Sequence, residues 1–412
     1  MRLIHTSDWH LGHRFHGRTR HEEQGRFLDW LAELIEEEAV DALLVAGDIF
    51  DTTTPGSRAQ ALYYRFLHRL ASSPCRHVVI IGGNHDSPAL LEAPRELLRQ
   101  LDIHVVGMAG DSPDKEVLLL KDSQGRPELL VGAVPFLRDR DIRLAAAGET
   151  LEDKGRQLRQ GIRDHYQGVC LAADQLRRTI DPTLPLVVMG HLFVAGGRTR
   201  EGDGVRELSV GGLDRIEGAS FPETIDYLAL GHLHLGQLVA GSPTRRYCGA
   251  PLPMSFAEAG ATKEVLLLTS AGRAFAVAPI VVPVFQPLAA LRGDLDHLLR
   301  GLAQLRAAGS PAWVELAYEG ETVLPDLRER LLAAVEGSEL AVLRIRNNRI
   351  YDYALRQARE AESLDDLSVA EVFERCLAAN RIEESQRRVL RGALAEIVEI
   401  LARQDREAEA GP

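Results

Sequence analysis

The sequence predicts an α/β fold, on three observations. Over the first two-thirds of its 412 residues, short β-branched runs alternate with amphipathic stretches. The amphipathic stretches carry their apolar residues at helical spacing. Five of the runs also stop at a metal-binding type of side chain, as strands do in α/β sheets whose ligands sit at the carboxyl ends. In order, the strand candidates are Arg2–Thr6, Asp41–Ala46, His77–Ile81, Leu129–Ala133, Leu186–Met189 and Tyr227–Leu230. Between the first two, Glu22–Ala39 reads as a helix, with Phe27, Leu28, Leu31, Leu34 and Ile35 in one stripe. Arg58–Leu70 repeats the pattern through Leu62, Tyr63, Phe66, Leu67 and Leu70. After Gly231 the texture turns to β, at Tyr247–Pro251, Glu264–Leu268 and Ala274–Val282.

A boundary follows at Val281–Pro287, and from there to about Asn347 the pattern is β-α-β-α-β, with helices at Leu295–Leu305 and Leu327–Val335. Those helices are too short to stand alone and must pack on their strands. A polar linker, Gln357–Asp366, precedes two more amphipathic stretches, Val369–Leu377 and Glu384–Arg403. Two readings stand for this tail: a hairpin folded back on the body, or a docking element for another protein. The organisation expected is a first domain over 1–280, a small one over 283–347 and a helical segment over 366–405.

Composition bounds the class. With 45% hydrophobic and 26% charged residues, this is a globular chain rather than a disordered one. The start, Met1-Arg2-Leu3-Ile4, runs directly into a strand and lacks the features of a signal peptide. No uncharged apolar stretch reaches the roughly 18–20 residues that span a bilayer. Four cysteines, Cys75, Cys170, Cys248 and Cys376, lie far apart without metal or redox spacing. A cytoplasmic protein is expected. The net charge of −12 opposes strong non-specific nucleic-acid binding by the whole chain, but allows a local basic surface.

The chemistry sits at the five strand ends: Ser7-Asp8-Trp9-His10, Gly47-Asp48-Ile49-Phe50-Asp51, Gly82-Gly83-Asn84-His85-Asp86, Gly190-His191 and Gly231-His232-Leu233-His234. Two divalent ions about 3.5–4 Å apart need a bridging carboxylate with further imidazole, amide and carboxylate ligands. Asp48 is the natural bridge; Asp8, His10 and His234 complete one site, and Asn84, His191 and His232 the other. The donor set, with no cysteine, suits Mn²⁺, Fe²⁺ or Zn²⁺. His85 is expected to face substrate, with Asp86 accepting from its other nitrogen and fixing the tautomer. Asp51 is either a supporting residue behind the ligands or a turn cap. Each piece alone is an ordinary turn or a packed histidine; the ordered combination is what points to metal. His68, His77, His104 and His165, outside the blocks, read as structural.

These five blocks resemble those of the calcineurin-like metallophosphoesterase superfamily. Within it the chain resembles the bacterial SbcD family of exonuclease subunits almost end to end. His5-Thr6-Ser7-Asp8-Trp9-His10-Leu11-Gly12, Val45-Ala46-Gly47-Asp48-Ile49-Phe50-Asp51-Thr52, Gly83-Asn84-His85-Asp86-Ser87 and Tyr247-Cys248-Gly249-Ala250-Pro251 carry that likeness. The resemblance implies a two-sheet β-sandwich flanked by helices, with a capping domain after Pro283 and a tail that grips an SbcC-type ATPase. It implies two Mn²⁺ ions, a homodimer, and 3′→5′ exonuclease action on double-stranded DNA ends with endonuclease action on hairpins. His85 then protonates or stabilises the departing oxygen; the bland alternative is that it buttresses Asn84. Arg14, His16, Arg18 and Arg20, in the basic loop after His10, are the candidate DNA contacts, with a solvated loop as the alternative. Arg138, Arg140 and Arg143 form a weaker second group. Two other functions fit the sequence less well. A small-substrate phosphatase or phosphodiesterase needs neither capping domain nor tail, and a non-catalytic scaffold would have lost ligands that are all present here.

Overall fold

A computed structural model describes residues 1–142, 149–194, 196–198, 216–320, 322, 324–347 and eight positions between 373 and 394. The chain divides into two compact units, Met1–Ala289 and Ala290–Pro412.

The first unit opens with β1 (Arg2–Thr6), a small ribbon of β2 (Arg14–Phe15) and β3 (Arg18–Thr19), and α1 (His21–Glu37). Next come β4 (Ala42–Ala46), α2 (Ser57–Leu70), β5 (His77–Ile81), the short α3 (Pro88–Glu92) and α4 (Arg95–Arg99), and β6 (Ile103–Val106). After β7 (Val117–Lys121) and β8 (Pro127–Ala133) lie α5 (Asp139–Ile142) and α6 (Leu151–Ile180). The unit closes with β9 (Leu186–His191), β10 (Tyr227–Gly231), β11 (Gln237–Val239), β12 (Ser242–Tyr247), β13 (Glu264–Ala271) and β14 (Ala274–Val281). One six-stranded sheet has the order β14-β13-β1-β4-β5-β6, and the other β11-β12-β10-β9-β8-β7. β1, β4, β5 and β6 run parallel, as do β8, β9, β10 and β12.

The two sheets face each other, and their alternation explains why the central strands read as unbroken apolar runs. In β4, Leu43 and Val45 pack beneath α1 and α2. Its Ala42, Leu44 and Ala46 face inward with Val131, Val187, Met189 and Ala229 of the second sheet. On the far side, Leu130, Val188 and Leu228 meet Ile162, Tyr166, Val169 and Ala173 of α6.

α6 was not among the expected helices, because its buried stripe is narrow within a charge-rich sequence. It starts at a capping box, with the Asp153 N–H donating to Thr150 Oγ1 over 3.1 Å. The short strands β6, β7 and β11 were also missed. The expected strand Tyr247–Pro251 is corrected: β12 ends at Tyr247, and the chain turns through Gly249 (φ +79°) so that the Ala250 N–H reaches the His234 carbonyl at 3.2 Å.

The connector after β14 stays with the first unit, since Val282 is buried in the α1–α2 core and Phe285 packs against it. In the second unit, β15 (Leu288–Gly293), α7 (Leu295–Ala307), β16 (Trp313–Tyr318), α8 (Leu327–Val335) and β17 (Ala341–Asn347) give a three-stranded sheet in that order. Leu298, Leu302, Val314, Leu316 and Leu331 are its buried core. The expected tail helices lie almost wholly outside the described residues. Among the described residues no helix is long and apolar enough to cross a membrane.

Leu44 is fully buried between the sheets, whereas Leu97 is 69% exposed. Leu44→Ala should cost about 2–5 kcal/mol and Leu97→Ala less than about 0.5 kcal/mol, read from urea unfolding midpoints.

Candidate metal centre

The ends of β1, β4 and β5 in one sheet and of β9 and β10 in the other meet at a single edge of the sandwich. His191 Nδ1 lies 2.9 Å from the Ala46 carbonyl, which ties the end of β9 to the end of β4. Such an approach requires residues without a side chain at the crossing. A Cβ on Gly231 would lie 1.9 Å from the Ala46 carbonyl oxygen, and one on Gly83 would lie 2.1 Å from Asp48 Oδ1. Four non-glycine residues at these strand ends, Asp8 (φ 53°), His10 (φ 45°), Asp48 (φ 51°) and His232 (φ 97°), adopt left-handed backbone. Residues with a Cβ enter that region at a cost, and such strain collects at functional sites. Backbone bonds hold it here: the Asp8 N–H donates to Gly47 O and the His10 N–H to Asp48 O, each at 3.0 Å.

All seven expected ligands come together. Asp48 Oδ2 stands 3.6 Å from His10 Nε2 and 3.4 Å from His191 Nε2, between two groups. On one side, Asp8, His10 and His234 present donor atoms within 4.8 Å of one another, with His10 Nε2 and His234 Nε2 3.1 Å apart. On the other, Asn84 Oδ1 is 3.0 Å from His191 Nε2 and 2.9 Å from His232 Nδ1. Apart from half-buried Asn84, each of the seven is no more than 4% exposed.

These residues fit a pair of cations. With Nδ1–H donating to the Ala46 carbonyl, His191 turns Nε2 toward the oxygens of Asp48 and Asn84, where a proton or a cation at that nitrogen meets acceptors. The 3.1 Å between His10 Nε2 and His234 Nε2 is the spacing of two nitrogens bound at about 2.0–2.1 Å to one ion. The electrostatics agree. Burial alone would raise the Asp48 carboxyl, but His191, followed by His10 and His85, holds it well below the ordinary range. Burial would lower His191, yet Asp48 and then Asp8 push it up to about 9. Burial and the charge of His191 lower His232 to about 3. Without metal, the proton on His191 thus takes the place of positive charge.

Around the ligands, the structure corrects one expectation and extends another. Asp86 does not accept from His85. Its carboxylate takes the backbone N–H groups of Gly83 (2.9 Å), Phe50 (2.9 Å) and Ile49 (3.1 Å), and so laces the β4 and β5 loops together. His85 Nδ1 instead meets the Asp51 carbonyl at 2.7 Å, which leaves Nε2 as the other ring nitrogen of a partly buried side chain. Asp51 Oδ1 lies 3.0 Å from His13 Nδ1 and 3.4 Å from His10 Nδ1, placing it behind the ligands. His13, Ser7 and Gln24 were missed. Ser7 Oγ donates to Asp8 Oδ2, and Gln24 Nε2 donates to the His10 carbonyl at 2.8 Å. Only the placement of Ser7 and His13 beside ligands signals them in sequence.

Of the candidate DNA contacts, Arg14, His16 and Arg18 are exposed, whereas Arg20 is 3% exposed and turned inward. Arg20 pairs with Glu23, donates to the Pro253 carbonyl at 2.7 Å and lies over the Phe15 ring, so it is withdrawn from that set. Trp9 is a core residue, edge-on to Phe27 and Phe66. Arg138 donates to the Asp86 carbonyl and lines a cavity of about 240 Å³ with Phe136, Tyr166, Phe193, His191 and His232. Arg140 is exposed, and Arg143 lies outside the described residues.

Comparison with known proteins places this geometry. The family model for calcineurin-like phosphoesterases matches residues 1–236. The SbcD_C model, described as the type 5 capsule protein repressor C-terminal domain, matches residues 284–381. The chain is similar to the SbcD subunit of the nuclease SbcCD of Escherichia coli strain K12, 38% identical over 405 residues that cover 98% of this chain and 99% of that one. To its counterpart in Rhodobacter capsulatus it is 36% identical over 364 residues (82% and 85%). To that of Bacillus subtilis it is 35% identical over 270 residues (65% and 66%).

Because His191 holds a proton up to about pH 9 in the metal-free site, an ion that takes Nε2 must displace it. Mn²⁺ binding to chelator-treated protein should release at least one proton at pH 7. Affinity should rise up to about tenfold per pH unit toward 9 and then level off. Titration calorimetry in buffers of different ionisation enthalpy checks this; a proton count of zero would contradict it.

Proposed function

The chain belongs to the calcineurin-like phosphoesterases and, within them, to the SbcD family of nuclease subunits, and from that premise we propose that it is a two-metal DNA nuclease subunit. It cuts DNA 3′→5′ from double-stranded ends and opens hairpins, in complex with an SbcC-type ATPase. The observation that carries this reading is the Asp48 carboxylate standing between two clusters of neutral and anionic donors at one edge of the sandwich.

Asp8, His10 and His234 would hold one ion, Asn84, His191 and His232 the other, with Asp48 shared; Mn²⁺ suits this oxygen and imidazole set. Bound there, the ions supply Lewis-acid activation of water and offset charge on the phosphoryl oxygens. The protein's own groups do the rest. Asp48 also accepts the His85 N–H at 2.9 Å through Oδ1, so the bridge and the following loop are fixed by one carboxylate. The Asp51 carbonyl takes the Nδ1–H of His85 and thereby assigns Nε2 to the substrate. Protonated at Nε2, His85 delivers its proton to the leaving 3′-oxygen as the phosphorus–oxygen bond breaks. Asp51 together with His13 orients the His10 ring, so that Nε2 rather than Nδ1 faces the centre.

Arg14, His16 and Arg18 contact DNA phosphates in this reading, which their exposure supports. The small α/β unit caps the DNA, the helical tail binds the ATPase, and two copies pair through the nuclease domain. The length of matched chain, from the phosphoesterase region through the SbcD_C region, supports these readings.

The decisive assay is cleavage of a labelled hairpin duplex with Mn²⁺, with and without an SbcC-type ATPase. His85→Ala should lose about 10²–10⁴-fold in rate while keeping its bound metal. Asp48→Ala should lose both activity and metal. Intact DNA beside rapid turnover of a small phosphodiester would overturn the DNA reading and favour a small-substrate phosphodiesterase.

A further inference from the structure

A second cluster of metal-ligand type lies at the other end of β5 from the catalytic edge. His77 is the first residue of β5, Asp102 immediately precedes β6, and His104 is the second residue of β6. β5 and β6 pair in parallel with Val79 opposite His104, which makes His77 and His104 diagonal neighbours on one face of the sheet. Their rings are 6.3 Å apart, and one donor atom from each of His77, Asp102 and His104 lies within 4.8 Å of the other two.

The state of His77 points to a ligand. Its ring is buried, 8% exposed, and its Nε2 meets the Lys121 carbonyl of β7 at 2.8 Å. Only an N–H can donate to that carbonyl, so in the neutral ring Nδ1 is the nitrogen that carries the lone pair. That Nδ1 is buried with no hydrogen-bond partner. A buried acceptor without a partner costs free energy, and an imidazole anchored by its other N–H to a backbone carbonyl is the usual posture of a metal-bound histidine. His104 is partly buried, and that burial lowers its pKa, which favours the neutral ring that can bind a cation. Asp102 is exposed, so its carboxylate has room to swing in and add the negative charge. Arg99 lines one cavity with His104 and is itself 3.8 Å from Glu96.

We propose that His77, Asp102 and His104 form a third metal site, separate from the catalytic pair, that takes one zinc-class divalent ion. Two imidazoles and one carboxylate with an open fourth position suit Zn²⁺, Ni²⁺ or Cu²⁺ and are a poor match for Mg²⁺ or Ca²⁺. The ion would clip edge strand β6 to β5. Through His77 and the Lys121 carbonyl it would also brace the contact between the two sheets. Its role is structural, since the catalytic groups stand at the opposite end of β5.

The test is metal content of the full chain after chelator treatment, dialysis against Zn²⁺ and removal of free ion. Wild type should hold one more equivalent than His104→Ala, and the same difference should persist in the Asp48→Ala background, where catalytic-edge binding is impaired. Asp102→Asn, at an exposed position, should weaken the extra site about tenfold or more. Zn²⁺ should raise the thermal midpoint in Asp48→Ala but not in the His104→Ala, Asp48→Ala double variant. Mn²⁺-dependent phosphodiesterase turnover should be the same in wild type and His104→Ala. Equal zinc content in wild type and His104→Ala would overturn the proposal, whatever becomes of the DNA nuclease reading.

Discussion

The structure depends on one carboxylate being held between two sheets. Asp48 follows β4 of the first sheet, and its Oδ2 sits 3.6 Å from His10, in the loop after β1, and 3.4 Å from His191 at the end of β9 in the second. That arrangement exists only if the sheets close at this edge to side-chain contact. The interior obliges by being small where they converge. Ala46 ends β4, Ala133 ends β8 and Ala229 sits in β10, all in the shared core, while glycine occupies the crossings at 83 and 231, where a single methyl would collide. Close packing then transmits position: a core that cannot compress fixes where the strand ends lie.

Closure carries an energetic cost that the surroundings offset. Left-handed backbone at four non-glycine ligands costs on the order of 1 kcal/mol or more at each. Against it stand the loop-to-loop backbone bonds and the Asp86 carboxylate with its three N–H donors. Asp86 itself is buried beside Asp48, and burial with that charge raises it to about 6 despite those donors. The loops are therefore held by a group that is itself strained electrostatically. Positive charge at the ligand edge would offset that repulsion.

The same economy of buried polar groups runs through the molecule. Where a ring nitrogen is assigned by a backbone carbonyl, its opposite nitrogen is turned to a task. Ala46 does this for His191, Asp51 for His85 and Lys121 for His77. Two of these three lie at the catalytic edge. The third stands at the opposite end of β5.

Local pattern alone marked the strands and the metal-binding types of side chain that follow them. A buried strand advertises its apolar run, and the residue after it is one step away along the chain. Asp8, His10, Asp48, Asn84, His191, His232 and His234 were legible for that reason, as were helices α1 and α2 through their wide apolar stripes. Adjacency misled at Asp86, because consecutive residues in a tight turn point apart: Asp86 faces back to the β4 loop while His85 faces out. Composition misled at Arg20, whose basic neighbourhood suggested solvent and phosphate, although Glu23 one helical turn on and the distant Pro253 carbonyl draw it inside. α6 escaped because only a thin stripe of its 30 residues is buried. What tertiary structure alone decided is which backbone carbonyl faces which imidazole, and so which nitrogen is left for chemistry. Those pairings join residues up to 145 positions apart, as His191 and Ala46 are. They arise from closing two sheets on each other, which no local pattern records.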